Sequence, residues 1–467
     1  MAAAGASSPT IESRSDLVEA LARGCKPAED FRVGTEHEKF TFFRDSLMPV
    51  PYEGENGIGA LLAHVEAETA WEPVFDRDKV IGLVNPKGGG AISLEPGGQF
   101  ELSGAPLETI HQTCIETGDH LRLLRKFTAP MGIEFLGLGV APTWSLSDIP
   151  MMPKSRYAIM APYMETVGTL GTSMMFRSAT VQANLDFSSE ADMVKKLRVS
   201  LALQPIVTAI FANSPFLEGR PSGYLSFRSH IWLNTDPART GMLPFAFEQG
   251  MGFERYVDYA LDVPMYFVIR DGAYINCAGE SFRAFLDGKL PQLPGEKPTR
   301  KDWEDHLSTI FPEVRLKQFL EMRGADGGPW EGICALPALW TGLLYDGEAL
   351  DAAWDLVKGW TAEERDTLRR RVPETALATP FRSVTVLDIA REMVEIARQG
   401  LKKRNRLNWE GADESVFLRP INHTLQTGRT PAERLLDLYH GAWGGDITRL
   451  FTDYAMERSA DQAPRSR

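Results

Sequence analysis

Cysteine is scarce in this sequence: Cys25, Cys114, Cys277 and Cys334 are the only four in 467 residues, and no two form a CxxC pair. That spacing fits neither a zinc site nor a secreted disulfide scaffold. Basic charge is also in deficit, with 50 Lys and Arg against 63 Asp and Glu, a net charge of −13 and a pI near 5.3. Phosphate contacts dominate affinity for duplex nucleic acid, so nucleic acid is not an expected partner. Long apolar runs are missing: the most apolar stretch, Leu201–Ala212, contains Gln204 and Pro205 and is too short to span a bilayer. The opening residues MAAAGASSPTIESRSD lack a charged segment followed by an apolar one and contain acids, which argues against both a signal and a transit peptide. The expected compartment is therefore the cytoplasm. No Ser/Gly/Pro linker and no repeat divides the chain. Residues 1–467 are expected to form a single catalytic unit, its core spanning about 14–455 with the termini 1–12 and 456–467 disordered.

What is present is a mixture of helical and extended patterns. Helices are expected over Asp16–Arg23, Pro106–Ala129, a segment opening at Ser188-Ser189-Glu190 that Pro205 kinks or interrupts, and then Ala335–Tyr345, Glu348–Lys358, Ala362–Arg371, Val384–Lys403 and Pro431–His440. Period-2 alternation marks strands at Arg32–Phe43, Ile92–Ser103, Phe176–Phe187, Phe227–Asn234, Pro264–Asn276 and Val314–Arg323, with Asp271-Gly272 signalling a hairpin. Strands and helices do not alternate strictly. The expected class is α+β, an antiparallel sheet of roughly six strands with helices packed against it.

Alternate side chains on a strand face opposite ways. Glu36 and Glu38 therefore share a face, as do Gln99 and Glu101, while Glu95 precedes a Pro96-Gly97-Gly98 turn that can re-aim it. Gln182 and Asn184 share a face, as do Glu321 and Arg323, and the same spacing groups Arg228, His230, Trp232 and Asn234. Thr180–Asp186 alone reads as a solvent-facing sheet surface. Together, however, five carboxylates on one sheet face repel one another unless cations intervene. Carboxylate and amide oxygens without cysteine partners suit Mg²⁺ or Mn²⁺, and Mg²⁺ completes its shell with phosphates and water. Arg156, Arg228 and Arg323 add planar forks for carboxylate or phosphate. These residue types point to metal-assisted phosphoryl transfer to or near an anionic substrate. Two further motifs carry little: Gly137-Leu138-Gly139 has Pro142 where a dinucleotide loop needs a glycine, and Asn85–Gly90 lacks the Walker spacing.

The segments Gly34–Phe40, Ser93–Gly104, Met175–Phe187, Arg228–Trp232, Asp262–Tyr266 and Glu321–Trp330 resemble the plant and alphaproteobacterial type of glutamate–cysteine ligase, in order from Asp16 to Phe451. The resemblance implies a glutamine-synthetase-like catalytic fold whose sheet forms a funnel-shaped active site. It implies an ADP-forming ligase that joins the γ-carboxylate of glutamate to the α-amine of cysteine through a γ-glutamyl phosphate, the first step of glutathione biosynthesis, as a monomer or homodimer. It further implies Mg²⁺ at Glu36, Glu38, Glu95, Glu101 and Glu321, with Gln182 or Asn184 adding an amide oxygen. Arg323 would meet the transferring phosphate, Arg156 and Arg228 the α-carboxylate of glutamate, and Tyr266 the cysteine pocket, with Trp232 also among the substrate-binding residues; Lys154 is conceivable near the phosphates. Cys114 and Cys334 match a redox-active pair of the plant members, while Cys277 matches half of a second pair whose partner position here is Gln292. That departure, with the N-terminus, points to a bacterial rather than a plastid enzyme. Two alternatives stay open: a carboxylate–amine ligase of the same fold with another acceptor, and an inactive nucleotide- or metal-binding regulator.

Overall fold

A computed structural model describes residues 8–456. Among the described residues the main sheet has nine strands: β1 Val33–Phe43, β2 Glu72–Asp76, β3 Lys79–Val84, β4 Ala91–Leu94, β5 Phe100–Ser103, β6 Ile133–Leu136, β7 Thr180–Leu185, β8 Val314–Leu316 and β9 Leu320–Asp326. The order is β8-β9-β7-β1-β5-β4-β3-β2, every pair antiparallel. The first half of β1 pairs with β7 and β5, and its second half pairs with β6.

The long central strand has two contrasting faces. Glu36 and Glu38 point to one side, while His37 and Lys39 are fully buried on the other. Lys39 Nζ lies 3.1 Å from His37 Nδ1, between the rings of Phe100 and Phe135, and the His120 ring meets His37 edge-on. Burial pushes both imidazoles well below the ordinary histidine range.

The helices that bear on the sheet and its site are α1 Ile110–Met131, α2 Ser155–Val167, α3 Glu190–Ile210, α4 Phe227–Leu233, α5 Trp330–Leu344 and α6 Val386–Arg404. Each starts or stops for a local reason. Thr109 caps α1 with a reciprocal Gln112 box, and Gly132 closes it in the left-handed region. α3 and α5 cover the reverse face of the sheet, mostly with apolar side chains, although Gln204 and Thr208 of α3 lie against Gly324 of β9. α5 crosses α6 at two glycines: a Cβ on Gly400 would fall 1.9 Å from the Gly342 carbonyl oxygen.

Several expectations change. The sheet has nine strands rather than six because β2, β3 and β6 are short, and because Ile92–Ser103 splits at its Pro96–Gly98 turn. Phe227–Asn234 is not a strand but α4, since Ser226 accepts from Ser229 N as an N-cap and Phe227 and Ile231, four apart, both pack inward. Pro205 does not break α3: the residues around it are buried on all sides, and that packing outweighs the lost hydrogen bond. The ladder over Phe176–Phe187 is confined to β7, Phe176 lying in a helix, and Val314–Arg323 divides into β8 and β9. The hairpin at Asp271-Gly272 forms as expected, both residues having positive φ, as a separate two-stranded sheet. Near the N-terminus, Ile11 is buried and Thr10 bridges to Thr299, so residues 8–12 belong to the folded unit. The remainder of the ends expected to be disordered, 1–7 and 457–467, lies outside the described residues.

Candidate active site

The carboxylate face of the sheet lines a cleft of about 650 Å³. Strand alternation brings Glu38 and Arg323 to it, the β4–β5 turn brings Glu95, α2 brings Arg156, and α4 brings Arg228 and Trp232. Arg228 and Trp232 share a face because they are one helical turn apart. His230, which the strand reading placed with them, stacks instead on Tyr224.

Local structure fixes each cation. Asp76 of β2 accepts from Ser155 N at 2.6 Å and Ser155 Oγ at 2.7 Å, anchoring the first turn of α2 and so placing Arg156. Tyr157 OH donates to Leu94 O at 2.6 Å, tying the same turn to the sheet. Ser214 Oγ accepts from Arg228 N at 3.1 Å, and Arg228 Nη2 donates to Arg323 O at 3.0 Å. Asp326 accepts from Ser214 Oγ at 2.7 Å and Ser226 Oγ at 2.8 Å, locking the start of α4.

The acids are crowded. Glu38 sits opposite Glu101 in the β1–β5 register, and Glu36 opposite Gln182 across β1–β7. Burial, with Glu95 and Glu101 nearby, pushes the Glu38 carboxyl well up, and burial with Glu321 and Glu101 raises Glu36 to about 7. Burial and Glu95 also raise Glu101, against hydrogen bonds from Ser93 and Ser103. Burial, with Arg156 alongside, brings Lys154 down to about 8. Glu321 is the exception. It is fully buried, yet Arg315 grips both its oxygens, Arg323 Nη1 lies 3.1 Å away and Lys317 Nζ 3.6 Å, so its carboxyl stays well below the usual range despite the desolvation that opposes this. Arg323 Nη1 also donates to Gln182 Oε1 at 2.6 Å, and Asn184 Nδ2 to Glu36 Oε1 at 2.8 Å.

Polar atoms left without partners surround the cleft: Arg156 Nε, Arg228 Nε and Trp232 Nε1 are buried donors, and Asn184 Oδ1 is a buried acceptor. An unmade hydrogen bond in such a place costs about 1–3 kcal/mol. Three unpartnered donors on side chains that line one cleft suit an anionic ligand. Raised carboxyls beside a bare amide oxygen suit a hard divalent cation. Among the described residues no three His, Cys, Asp or Glu side chains form a ready-made metal cage.

Glu38, Glu95, Arg156, Arg228, Trp232 and Arg323 thus meet in the cleft, with Glu36, Glu101, Gln182, Asn184 and Glu321 along the adjoining strands. Tyr266 does not join them. It is buried between Tyr163 and Arg239, whose guanidinium lies 4.0 Å from its ring centroid. Cys114 on α1 and Cys334 on α5 are buried free thiols in hydrogen-bond contact. Sequence reasoning missed Arg315 and Lys317, although both alternate in phase with Glu321 and Arg323. It also missed Asp76, whose role depends on a partner 79 residues away and left no local signal.

The family description "Glutamate-cysteine ligase family 2 (GCS2)" matches residues 32–453. The chain is 56% identical to the chloroplastic glutamate–cysteine ligase of Solanum lycopersicum over 441 residues, covering 94% of this chain and 82% of that protein. It is 56% identical to chloroplastic glutamate–cysteine ligase B of Oryza sativa subsp. japonica over 97% of this chain and 90% of that protein, and 55% identical to the Arabidopsis thaliana protein over 96% and 85%. Among solved structures, glutamate–cysteine ligase from Francisella tularensis in complex with AMP superposes with a TM-score of 0.54 at 12% identity, covering 92% of this chain and 88% of that one. That likeness bears out the glutamine-synthetase-like fold. The plant relatives are named chloroplastic, which overturns the expectation of a cytoplasmic, bacterial-type placement; residues 1–16 carry no weight on compartment. Among the described residues no helix is long and apolar enough to cross a membrane.

Proposed function

Because the chain belongs to glutamate–cysteine ligase family 2, we propose that it uses ATP to join the γ-carboxylate of glutamate to the α-amine of cysteine, and that the cleft of Glu38, Glu95, Arg156, Arg228, Trp232 and Arg323 is where it does so. The observation that carries this reading is the presence of unpartnered Arg156, Arg228 and Trp232 donors on side chains that line one cleft beside the raised carboxyls.

A carboxylate is a poor electrophile. The γ-carboxylate oxygen attacks the terminal phosphorus of ATP, ADP departs, and the resulting acyl phosphate accepts the amine nitrogen of cysteine with loss of phosphate. The forks of Arg156 and Arg228 hold the substrate α-carboxylate and so aim the γ-carboxylate. Arg323, fixed by Gln182 and Glu321, sits where it can offset charge on the phosphoryl group in flight. Glu36, Glu38, Glu95 and Glu101, with Asn184 Oδ1, are the residues that would hold Mg²⁺, which neutralises phosphate charge when bound. Glu321 keeps both oxygens on cations, so it acts first as the anchor of Arg323 and Arg315 and shares an oxygen with a metal only if that grip loosens. Arg315 and Lys317 leave that corner with surplus positive charge suited to phosphate.

The test is purified protein with ATP, Mg²⁺, glutamate and a panel of amines, following phosphate release and product mass. Release that requires glutamate and cysteine together and ceases with excess EDTA is expected, with a γ-glutamylcysteine product. Release with another amine instead would reject the acceptor, and release that persists in EDTA would reject the carboxylate–metal reading.

A further inference from the structure

On the face of the sheet opposite the carboxylates lies a second hollow, open to solvent and of about 860 Å³ with the space at its mouth included, which the reaction does not use. Val181 of β7 lies in its floor while its neighbour Thr180 lines the catalytic cleft, so the sheet itself separates the two spaces. The walls are mostly apolar, among them Phe211, Ala335 and Ile421.

Two glycines keep this space open. A Cβ on Gly328 would meet nothing within 4 Å, and one on Gly332 would meet only Pro329 Cδ at 3.8 Å. Neither has a positive φ, so the backbone does not demand glycine at either place. Gly332 lies in the first turn of α5, where glycine costs about 1 kcal/mol of helix stability relative to alanine. All that glycine gains there is room.

The polar groups at the cavity are unequally matched. Glu331 is paired with Arg419 at 3.1 Å. Arg434 is half-buried, and its Nη1 donates to Arg429 O at 2.6 Å and Thr424 Oγ1 at 3.4 Å, but among the described residues it forms no ion pair. Its acidic neighbour Glu433 is already committed to the Thr430 cap and to Arg429. Asp326 also reaches the wall, but its oxygens accept from Asn213 N, Ser214 Oγ and Ser226 Oγ. One guanidinium charge is thus left without an ion pair beside a mostly apolar hollow, a concave apolar wall with few polar groups being typical of small-molecule sites.

We propose that this cavity is a second binding site, for a small molecule with an apolar ring or chain and one anionic group that seats on Arg434. It does not rest on the ligase reading: no residue lines both spaces, and Asp326 alone links them, as a support beneath α4.

The test uses 8-anilinonaphthalene-1-sulfonate as the anionic probe and the neutral N-phenyl-1-naphthylamine as its uncharged counterpart, both titrated by fluorescence onto the full chain. One saturable site is expected, not displaced by saturating glutamate and ADP. Gly332→Leu should weaken both probes at least tenfold with the melting temperature held or raised. Arg434→Met should weaken the sulfonate roughly tenfold, the scale of one charge-assisted hydrogen bond, and leave the neutral probe unchanged. Absence of a saturable site, displacement by glutamate and ADP, or wild-type binding in Gly332→Leu would overturn the proposal. Equal loss of both probes in Arg434→Met would overturn the assignment of the anion to that residue.

Discussion

His306 offers a quantitative test of how this protein tolerates acid. The imidazole is 4% exposed, packed on Phe282 and Trp303, and its Nε2 lies 2.8 Å from the Ala260 carbonyl oxygen, which makes Nε2 the protonated nitrogen of the neutral ring. Nδ1 has no partner, so a second proton would arrive in an apolar cage with the Arg239 guanidinium nearby. Burial is the larger cause, and together they depress the histidine from 6.5 to about 4. Above pH 6.5 the ring is neutral in both folded and unfolded chains and its contribution is intact. Between pH 6.5 and 4 the unfolded chain takes up a proton that the folded chain refuses, so stability falls as pH falls. At 1.36 kcal/mol per pH unit the loss amounts to about 3 kcal/mol. The assay is the denaturant midpoint, followed by tryptophan fluorescence, at pH 7.5 and 4.5 for wild type and His306→Gln, which keeps a donor toward Ala260 O. Other groups titrate in the same window, so the informative quantity is the difference between the two proteins. The variant should lose about 2–3 kcal/mol less than wild type between pH 7.5 and 4.5, short of the full value because pH 4.5 lies above the folded pKa. If the gap between them is the same at both pH values, the depressed pKa and the packing argument behind it are wrong.

Arg228→Lys keeps the charge but removes the fork, and should raise the KM for glutamate about tenfold or more while leaving the KM for ATP near its original value. Comparable shifts in both constants would show that Arg228 does not discriminate between the two substrates. Arg315→Met leaves Glu321 buried with only Arg323 and Lys317 and should cost about 3 kcal/mol in urea unfolding. A loss under 1 kcal/mol would mean the two remaining cations suffice. Gly400→Ala places a methyl against the Gly342 backbone, where no flexible side chain can yield; a loss of at least about 1–3 kcal/mol is expected, read as a lowered melting temperature.

What the sequence disclosed was mainly period-2 chemistry. The alternation in Glu36–Lys39, Gln182–Asn184 and Glu321–Arg323 identified one polar sheet face, and the register then set those residues side by side. The Asp271-Gly272 turn was legible because its positive φ values restrict the residue types. Phe227–Asn234 misled because an eight-residue run supports two periods at once: Arg228 and Trp232 are in phase on a strand and also one turn apart on a helix. Short strands such as β6 offer too few residues to establish any period. Tyr266 could not be located from its motif, because its position depends on Tyr163 and Arg239 packing over it from elsewhere in the chain. Arg315 and Lys317 were detectable in principle, since a buried Glu321 demands counter-charge and both lie in phase with it.

The opposed faces of β1 also constrain how the chain can fold. Moving this strand by one residue against β7 and β5 would turn Glu36 and Glu38 toward the packed helices, and His37 and Lys39 toward the cleft. Two carboxylates would lose water in a space left with His120 and the rings of Phe100 and Phe135, its lysine gone, and the cleft would acquire positive charge where its cations already gather. An offset intermediate is therefore penalised on both sides of the sheet at once. In a sheet with so many non-local pairings, the residues placed for chemistry also serve as an alignment mark that rejects misregistered strands before the helices close over them.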